Sequence, residues 1–327
     1  MLSPSEFVAR YADIGARKTR LPALRLLLLG ALAGIFIALG GAGANTAAHA
    51  VSNVSAARII CGVLFPCGLI MVLLTGGELF TGNCLISISV LEGKASLGGM
   101  ARSWGLSYLG NFGGALAVAA ACAFCGQLNY SDGALAVYTI RIAAAKCALP
   151  VGNAVVQGVL CNLLVCTAVM SALCARDAAG RAAGAFVPVC LFVVCGFEHC
   201  VANMYYIPAG LFAGMVPRYA QLAQAAGVDL SALTWGNLFL RSLLPVTLGN
   251  LLGGAGLGAL LWAGHRTAAP ERPKGKKRRG FSRSFKVFEY AEKSLYYAGL
   301  TAIKADEARY TGNIRKEAFL PLSESKR

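Results

Sequence analysis

The sequence predicts an all-α polytopic membrane protein with six transmembrane helices, for three reasons. Only 14% of its 327 residues are charged and 57% are hydrophobic, whereas soluble proteins carry about 25% charged residues. Six apolar stretches reach the length of about 20 residues that crosses a bilayer. The charge is concentrated near the ends, because residues 26–264 hold only nine basic and six acidic residues. This composition excludes extensive disorder, a disulfide-stapled secreted domain and a DNA-binding domain along the whole chain.

The six predicted spans follow one another with short connections. Several contain small residues four apart, which let membrane helices approach closely. The chain is therefore expected to comprise a cytoplasmic N-terminal segment (1–25), a six-helix transmembrane domain (26–264) and a basic cytoplasmic tail (265–327). The spans cover residues 26–44, 58–76 with a continuation to 91, 103–125, 149–174, 183–217 and 235–264. The small-residue pairs are Gly30/Gly34, Gly110/Gly114, Gly249/Gly253 and Gly254/Gly258.

The Lys and Arg residues of the short loops predict that both termini are cytoplasmic, because cytoplasmic loops are enriched in these residues. With the N-terminus inside, nine basic residues lie inside before the tail is counted, from Arg10 to Arg181. The outside loops carry only Arg58, Arg141, Lys146 and Arg218, with Arg241 near the outer end of the last span. No cleavable signal peptide is visible. We therefore expect a multi-pass protein of the plasma or inner membrane.

Spans two and five are each interrupted by a polar segment. Residues 77–83 read GELFTGN and residues 196–203 read GFEHCVAN, so that each Glu is followed five positions later by Asn. Glu78 and Glu198 are 120 residues apart, as are Asn83 and Asn203. Spans three and six also share the triplet LGN. The pattern predicts two three-helix repeats in opposite orientations, each with a broken helix and with a site near the bilayer midplane.

The breaks also suggest which residues have a function. Ionisable groups at membrane depth are costly and usually mark sites. Glu78 and Glu198 have an alternative structural role, because a carboxylate can accept hydrogen bonds from freed backbone N–H groups. His199 is the only histidine within a predicted span, and it lies at the break. We therefore predict that His199, with Glu198 and Asn203 beside it, belongs to the site.

Cysteine and histidine do not predict a metal or cofactor. All twelve cysteines lie between Cys61 and Cys200, in or beside the spans. The CxxC pair Cys122/Cys125 falls in an apolar helix, where thiols act as small buried hydrophobic groups. We expect no structural metal site and no cofactor.

Five motifs together resemble one family. They are residues 77–83, 109–111, 158–166 (GVLCNLLVC), 196–210 (GFEHCVANMYYIPAG) and 244–250 (LPVTLGN). Over about residues 5–265, the chain resembles the formate/nitrite transporter family of formate, nitrite and hydrosulfide channels. The resemblance implies an aquaporin-like protomer, a homopentamer and one pore per protomer. The basic tail lies outside the shared core.

The resemblance also implies roles for particular residues. Thr81 on the first interrupting loop would face His199 on the second, and Lys146 would occupy the position of a lysine at the outer vestibule. Cys200 departs from the Ser that bacterial formate channels often carry there. The implied polar pore-lining residues are Asn162 and Asn250. The implied apolar constrictions are Phe65, Leu69, Phe80, Val165 and Phe192.

The implied function is passage of a small weak-acid anion together with a proton. Formate is the first candidate, and nitrite, hydrosulfide, acetate and lactate are further ones. An isolated anion in an apolar slit is very costly, so Lys146 would attract the anion and protonation would precede passage. An imidazole with an ordinary pKa near 6.5 makes His199 a suitable donor of a proton or of a hydrogen bond, and the sequence leaves both open.

Three alternatives belong to other classes. The first is a neutral-solute pore for water or polyols, although the paired Asn-Pro-Ala motifs of aquaporins are absent. The second is an intramembrane enzyme, which the absence of HExxH, paired intramembrane aspartates or GxSxG disfavours. The third is a scaffold that works through its tail. The tail contains a polybasic run, 274–279, followed by apolar residues at roughly helical spacing. This pattern is typical of either a helix on the membrane surface or a solvated flexible tail. We expect no nucleic-acid partner.

Overall fold

The computed structural model describes residues 1–266, and every described element is helical. The polybasic run 274–279 and the possible surface helix after it lie outside the described residues. The thirteen α-helices in chain order are α1 Pro4–Lys18, α2 Ala23–Ala48, α3 Val54–Leu64, α4 Pro66–Thr75, α5 Phe80–Asn83, α6 Ile86–Leu91, α7 Leu97–Phe124, α8 Ala134–Ala148, α9 Val151–Cys174, α10 Ala178–Cys195, α11 Cys200–Gly214, α12 Pro217–Ala225 and α13 Trp235–His265. A short 3-10 helix, Gln127–Gly133, lies between α7 and α8.

Six helical stretches are long and apolar enough to cross a membrane, which confirms the predicted number of spans. They are α2, the joined helices α3 and α4 (Val54–Thr75), α7, α9, α10 and α13. The protein is therefore an all-α, multi-pass membrane protein. Helix α13 contains a π-helical turn at Leu238–Leu243. This turn directly precedes Pro245, which lacks an N–H group and cannot continue a regular ladder of hydrogen bonds.

Helices α2 and α7, and likewise α9 and α13, pack through the predicted small residues. A β-carbon built on Gly110 would lie 2.9 Å from the Cα atom of Gly30, and one built on Gly249 would lie 3.0 Å from the Cα atom of Gly158. Any larger side chain there would push the two backbones apart. Close packing at Gly30/Gly34, Gly110/Gly114 and Gly249/Gly253 is therefore confirmed.

Three helices outside the predicted spans were not predicted, namely α1, α8 and the short α12, which replaces part of the loop expected between spans five and six. The N-terminal segment folds as α1, which is capped by Ser3 and Glu6 and buries Phe7 and Tyr11. The Glu6 carboxylate accepts hydrogen bonds from the Ser3 backbone, at 2.7 Å, and from its hydroxyl, and these bonds lower its pKa. The capping box was a visible signal for this helix. The Tyr11 hydroxyl donates to the carbonyl of Gly82 at 3.2 Å, so α1 is attached to the first interrupted region.

The second unpredicted helix is α8, which replaces the loop expected between spans three and four. One face of α8 is buried, including Leu135, Ile140 and Cys147, and Ala143 contacts Gly210 of α11. At 15 residues the helix is shorter than a span, so a search for spans overlooks it. Its importance is positional, because it carries Lys146 in its last turn.

The cysteines are distributed between the interior and the surface. Six of them are buried, whereas Cys67, Cys125 and Cys195 are exposed on this chain. The prediction that the thiols of the CxxC pair are buried is therefore wrong for Cys125, whereas Cys122 is partly buried. Among residues 1–266, no group of three or more His, Cys, Asp or Glu side chains is arranged to hold a metal ion.

The two predicted interruptions are confirmed. Helix α4 ends at Gly76 and helix α10 ends at Gly196, and both glycines have left-handed backbone angles, with φ of +77° and +74°. That conformation suits glycine because a β-carbon would be strained there. After each glycine the chain is non-helical for three residues before a new helix begins. We call residues 76–79 the first break and residues 196–199 the second break.

Candidate functional site

His199 lies at the end of the second break and caps the helix that follows. Its Nδ1 atom accepts a hydrogen bond from the backbone N–H of Ala202 at 3.0 Å. Since a backbone N–H can only donate, Nδ1 carries no proton in this geometry and the proton of the neutral ring lies on Nε2. The Nε2 atom lies 3.0 Å from the Thr81 hydroxyl oxygen. His199 therefore donates to Thr81, and the Thr81 hydroxyl proton is left for another acceptor.

The structure thus brings together Thr81, on α5 directly after the first break, and His199, at the end of the second break. Thr81 is fully buried, and His199 is only 3% exposed. The carbonyl of Thr81 accepts from the Asn162 amide at 3.3 Å and from the Cys166 thiol at 3.4 Å. These bonds hold the short helix α5 in a fixed position beside the second break.

Aromatic rings pack on one side of His199. The Phe192 ring stacks on the imidazole with centroids 5.9 Å apart, and Phe65 meets Phe192 edge to face at 5.8 Å. Tyr206 stacks on the other side of Phe65 at 6.4 Å. The residues expected to form constrictions are all 2–4% exposed, and they are Phe65, Leu69, Phe80, Val165 and Phe192. Their role as constrictions stays a prediction.

Lys146 forms an ion pair that the sequence analysis did not predict. Its Nζ atom lies 2.8 Å from Glu198 Oε1, and the Asn203 amide donates to the other carboxylate oxygen at 2.6 Å. The Asn203 amide also donates to the Ser242 hydroxyl, which lies in the π-helical turn of α13. Lys146 is therefore a compensated charge, and it is only 17% exposed.

Lys18 forms the corresponding group at the first break. Its Nζ atom lies 2.7 Å from Glu78 Oε2, to which Asn83 also donates at 2.9 Å. The two groups differ in what the asparagine oxygen bonds to. The Oδ1 atom of Asn83 accepts from Lys18 at 3.0 Å, whereas the buried Oδ1 atom of Asn203 has no hydrogen-bond partner within residues 1–266. Lys18 was predicted only as a basic residue of the cytoplasmic side, and its contact with Glu78 was not predicted because its helix was not recognised.

Asn111 and Asn250, the last residues of the repeated LGN triplets, satisfy the backbone of the breaks. The Asn111 amide donates to the carbonyls of Gly30 and Glu78 at 2.8 and 2.9 Å, and its oxygen accepts from the Phe80 N–H at 2.9 Å. Such bonds replace those that a continuous helix would make, which buried backbone in a membrane requires.

Asn250 makes the same three bonds at the second break. It donates to Gly158 and Glu198 at 2.8 and 3.0 Å and accepts from Cys200 at 2.9 Å. Asn250 was expected to line the pore, and that role stays a prediction; the contacts observed here are to backbone atoms. Asn162 donates to the carbonyls of Asn250, at 2.6 Å, and Thr81, so it links the two breaks.

Matching contacts in the two halves agree with two copies of one repeat, whose opposed orientation stays a prediction.

A sequence profile described as "Formate/nitrite transporter" matches residues 5–264. The chain belongs to the formate/nitrite transporter family. This is a family of channels and transporters and not of enzymes.

Named relatives of the formate/nitrite transporter family cover most of this chain. A "Probable formate transporter" of Methanothermobacter thermautotrophicus is 35% identical over 77% of this chain and 93% of its own. The formate channel FocA of Escherichia coli K12 is 31% identical over 78% of this chain and 90% of its own. A solved pentameric formate channel with formate bound has a TM-score of 0.66 at 30% identity, covering 74% of this chain and 96% of that one.

Proposed function

We propose that this protein passes small weak-acid anions across the membrane together with a proton. Formate is the first candidate, since the relatives include formate channels, and nitrite, hydrosulfide, acetate and lactate follow. The path runs between the two breaks and past the buried pair of His199 and Thr81. The observation that carries this proposal is that pair, a polar contact of 3.0 Å among apolar and aromatic side chains.

The charges around the breaks favour a neutral permeant. Both lysines at the breaks are paired with carboxylates, Lys18 with Glu78 and Lys146 with Glu198. Each of these two pairs is neutral, so neither lysine offers a net charge that could hold a bare anion beside the apolar side chains. An unpaired ion in such surroundings costs many kcal/mol, and desolvation raises the pKa of a permeating acid. The anion therefore crosses as its neutral acid.

His199 acts in this mechanism as a hydrogen-bond donor. A second proton on the ring would occupy Nδ1 and break the bond from Ala202, which leaves a buried N–H without an acceptor. The proton therefore arrives with the anion, and the ring orients the Thr81 hydroxyl. That hydroxyl then donates to an acceptor atom of the permeating neutral acid, which is the carbonyl oxygen in formic acid.

The assembly and orientation are part of the same proposal. A homopentamer with one path per protomer is supported by the pentameric formate channel to which this chain is similar. The Lys and Arg distribution supports cytoplasmic termini in the plasma or inner membrane. On this orientation, Lys146 lies on the outer side and Lys18 on the inner side.

Uptake into liposomes that contain the purified full-length protein tests the function. We expect labelled formate to enter faster at pH 5.5 than at pH 7.5, with one proton per formate reported by an internal pH dye. The Thr81→Val variant should lose about ten-fold in rate, because it removes the acceptor of a buried N–H. Thr167→Val is the matched control, since the Thr167 hydroxyl bonds to Leu163 within its own helix.

Two results would contradict the proposal. Formate uptake no faster than in empty liposomes, with water or glycerol accelerated instead, would indicate the neutral-solute pore. Formate uptake that charges the membrane without moving protons would show that the bare anion crosses.

A further inference from the structure

The pairing of Lys146 with Glu198 raises the question of which group receives the anion at that end of the bundle. Arg58, on the first turns of α3, lies directly against the second break. A β-carbon built on Gly196 would lie 2.5 Å from Nη1 of Arg58, 3.2 Å from Cζ and 3.4 Å from Nη2. The guanidinium therefore covers the glycine that begins the second break, three residues before His199.

Arg58 is uncommitted within residues 1–266. It is exposed, and among the described residues it forms no ion pair and donates no hydrogen bond to a side chain or backbone carbonyl. Other arginines differ in this respect. Arg102 donates to the carbonyl of Leu21 at 3.0 Å, and Arg141 approaches the carbonyl of Ala226 at 3.4 Å. All five guanidinium N–H donors of Arg58 are thus available to a ligand.

The position of Arg58 has electrostatic support. Gly196 caps the C-terminal end of α10, where the aligned backbone dipoles of the helix place partial negative charge. This charge attracts the guanidinium and holds it at the second break when no anion is bound. The interaction of the guanidinium with the end of α10 is weaker than its interaction with a carboxylate, so an arriving anion can bind to the guanidinium N–H groups.

We propose that Arg58 receives the anion at the entrance to the second break, and that its fork selects planar anions with two oxygen atoms. This inference rests on the proposed function. Two parallel N–H donors of a guanidinium match the two oxygens of a carboxylate, as an ammonium does not. Formate and nitrite both offer such a pair of oxygens, whereas hydrosulfide offers a single sulfur. In this arrangement Lys146 neutralises Glu198, and Arg58 provides the unpaired positive charge that binds the anion.

The test compares concentration dependence of uptake in liposomes for two substrates. Wild type, Arg58→Lys, Arg58→Gln and the control Arg141→Gln are each assayed with formate and with sulfide at pH 7.5. Loss of charge-assisted hydrogen bonds should raise the half-saturating formate concentration of Arg58→Gln about ten-fold. Arg58→Lys keeps the charge beside α10, so it should lose affinity for formate but leave sulfide unchanged. Arg141→Gln should match the wild type for both.

Each outcome has a separate meaning. If the wild type takes up formate and Arg58→Gln has the same half-saturation, Arg58 does not receive the anion and the inference fails alone. If Arg58→Lys equals the wild type for formate, or loses both substrates equally, the two-oxygen selectivity is overturned. If the two Arg58 variants lose maximal rate and thermal stability at unchanged half-saturation, Arg58 only stabilises the end of α10. If the wild type takes up no formate, the proposed function fails and the inference fails with it.

Discussion

Glu78 and Glu198 are ionisable residues in the apolar interior, and each has side-chain partners that compensate its charge. Each carboxylate, 6% exposed, is paired with a lysine and accepts from an asparagine five residues later in the chain. A buried charge is tolerated when it is paired and fully hydrogen-bonded. The alternative that these carboxylates accept hydrogen bonds from freed backbone N–H groups is therefore wrong within residues 1–266, because their partners are side chains and Asn111 and Asn250 bond to the backbone of the breaks.

Removing one partner of the ion pair between Lys146 and Glu198 should destabilise the protein. In Glu198→Gln, Lys146 keeps its charge in a mostly buried position, so we expect the free energy of unfolding in detergent micelles to fall by about 3 kcal/mol. The double variant Glu198→Gln with Lys146→Met should recover most of that loss. Asp13→Asn is the control, because Asp13 pairs with Lys94 on the surface and exposed pairs contribute about 1 kcal/mol or less. Equal losses for Glu198→Gln and Asp13→Asn would contradict this explanation.

Site residues that are unusual for their own segment could be predicted from the sequence, whereas residues that join the site only through tertiary packing could not. His199 was recognisable because an ionisable group in an apolar segment is unusual. Lys18 was not, because a basic residue near a cytoplasmic end is ordinary until its helix is known to fold back onto the first break. Ser242 was also missed, since its contact with Asn203 depends on the π-helical turn before Pro245. Partners supplied by tertiary packing leave no local signal.

At the scale of elements, apolar length predicts spanning helices well and short helices poorly. The six spans follow from runs of apolar residues that exceed the bilayer thickness. Helices α1 and α8 have 15 residues each and alternate buried with exposed positions. They form because a buried face packs on the spans, and this packing is invisible in a hydropathy average. The capping box of α1 was the one local signal available.

The glycines of α7 provide a test of how the spans pack. A β-carbon on Gly110 would lie 2.5 Å from the carbonyl oxygen of Leu27, whereas one on Gly113 would meet nothing within 4 Å. We expect Gly110→Ala to lower the free energy of unfolding by about 1–3 kcal/mol, because the two backbones must separate. Gly113→Ala should raise it by about 0.5–1 kcal/mol, because alanine favours helix. Chemical unfolding in micelles measures both, and losses of the same size would show that close approach at Gly110 is unimportant.

At the scale of the whole molecule, the family match and the described site both lie within the first 266 residues. Removal of residues 267–327 should therefore leave a pentamer that still takes up formate. Light scattering in detergent would give the mass of the assembly, and liposome uptake would give the rate. Loss of uptake with an intact pentamer would favour a working role for the tail, and a smaller mass would mean that the tail holds the protomers together.

Asn162 has a consequence for how the molecule can move. One amide group donates to Thr81 in the first interrupted region and to Asn250, which holds the second break. A displacement of either break would strain or break this shared link, so neither can swing open by itself. Alternating access requires the opposite, namely one gate that opens while the other stays shut. We therefore expect the two breaks to keep their relative positions while a molecule passes His199, as in a channel and unlike in a rocking carrier.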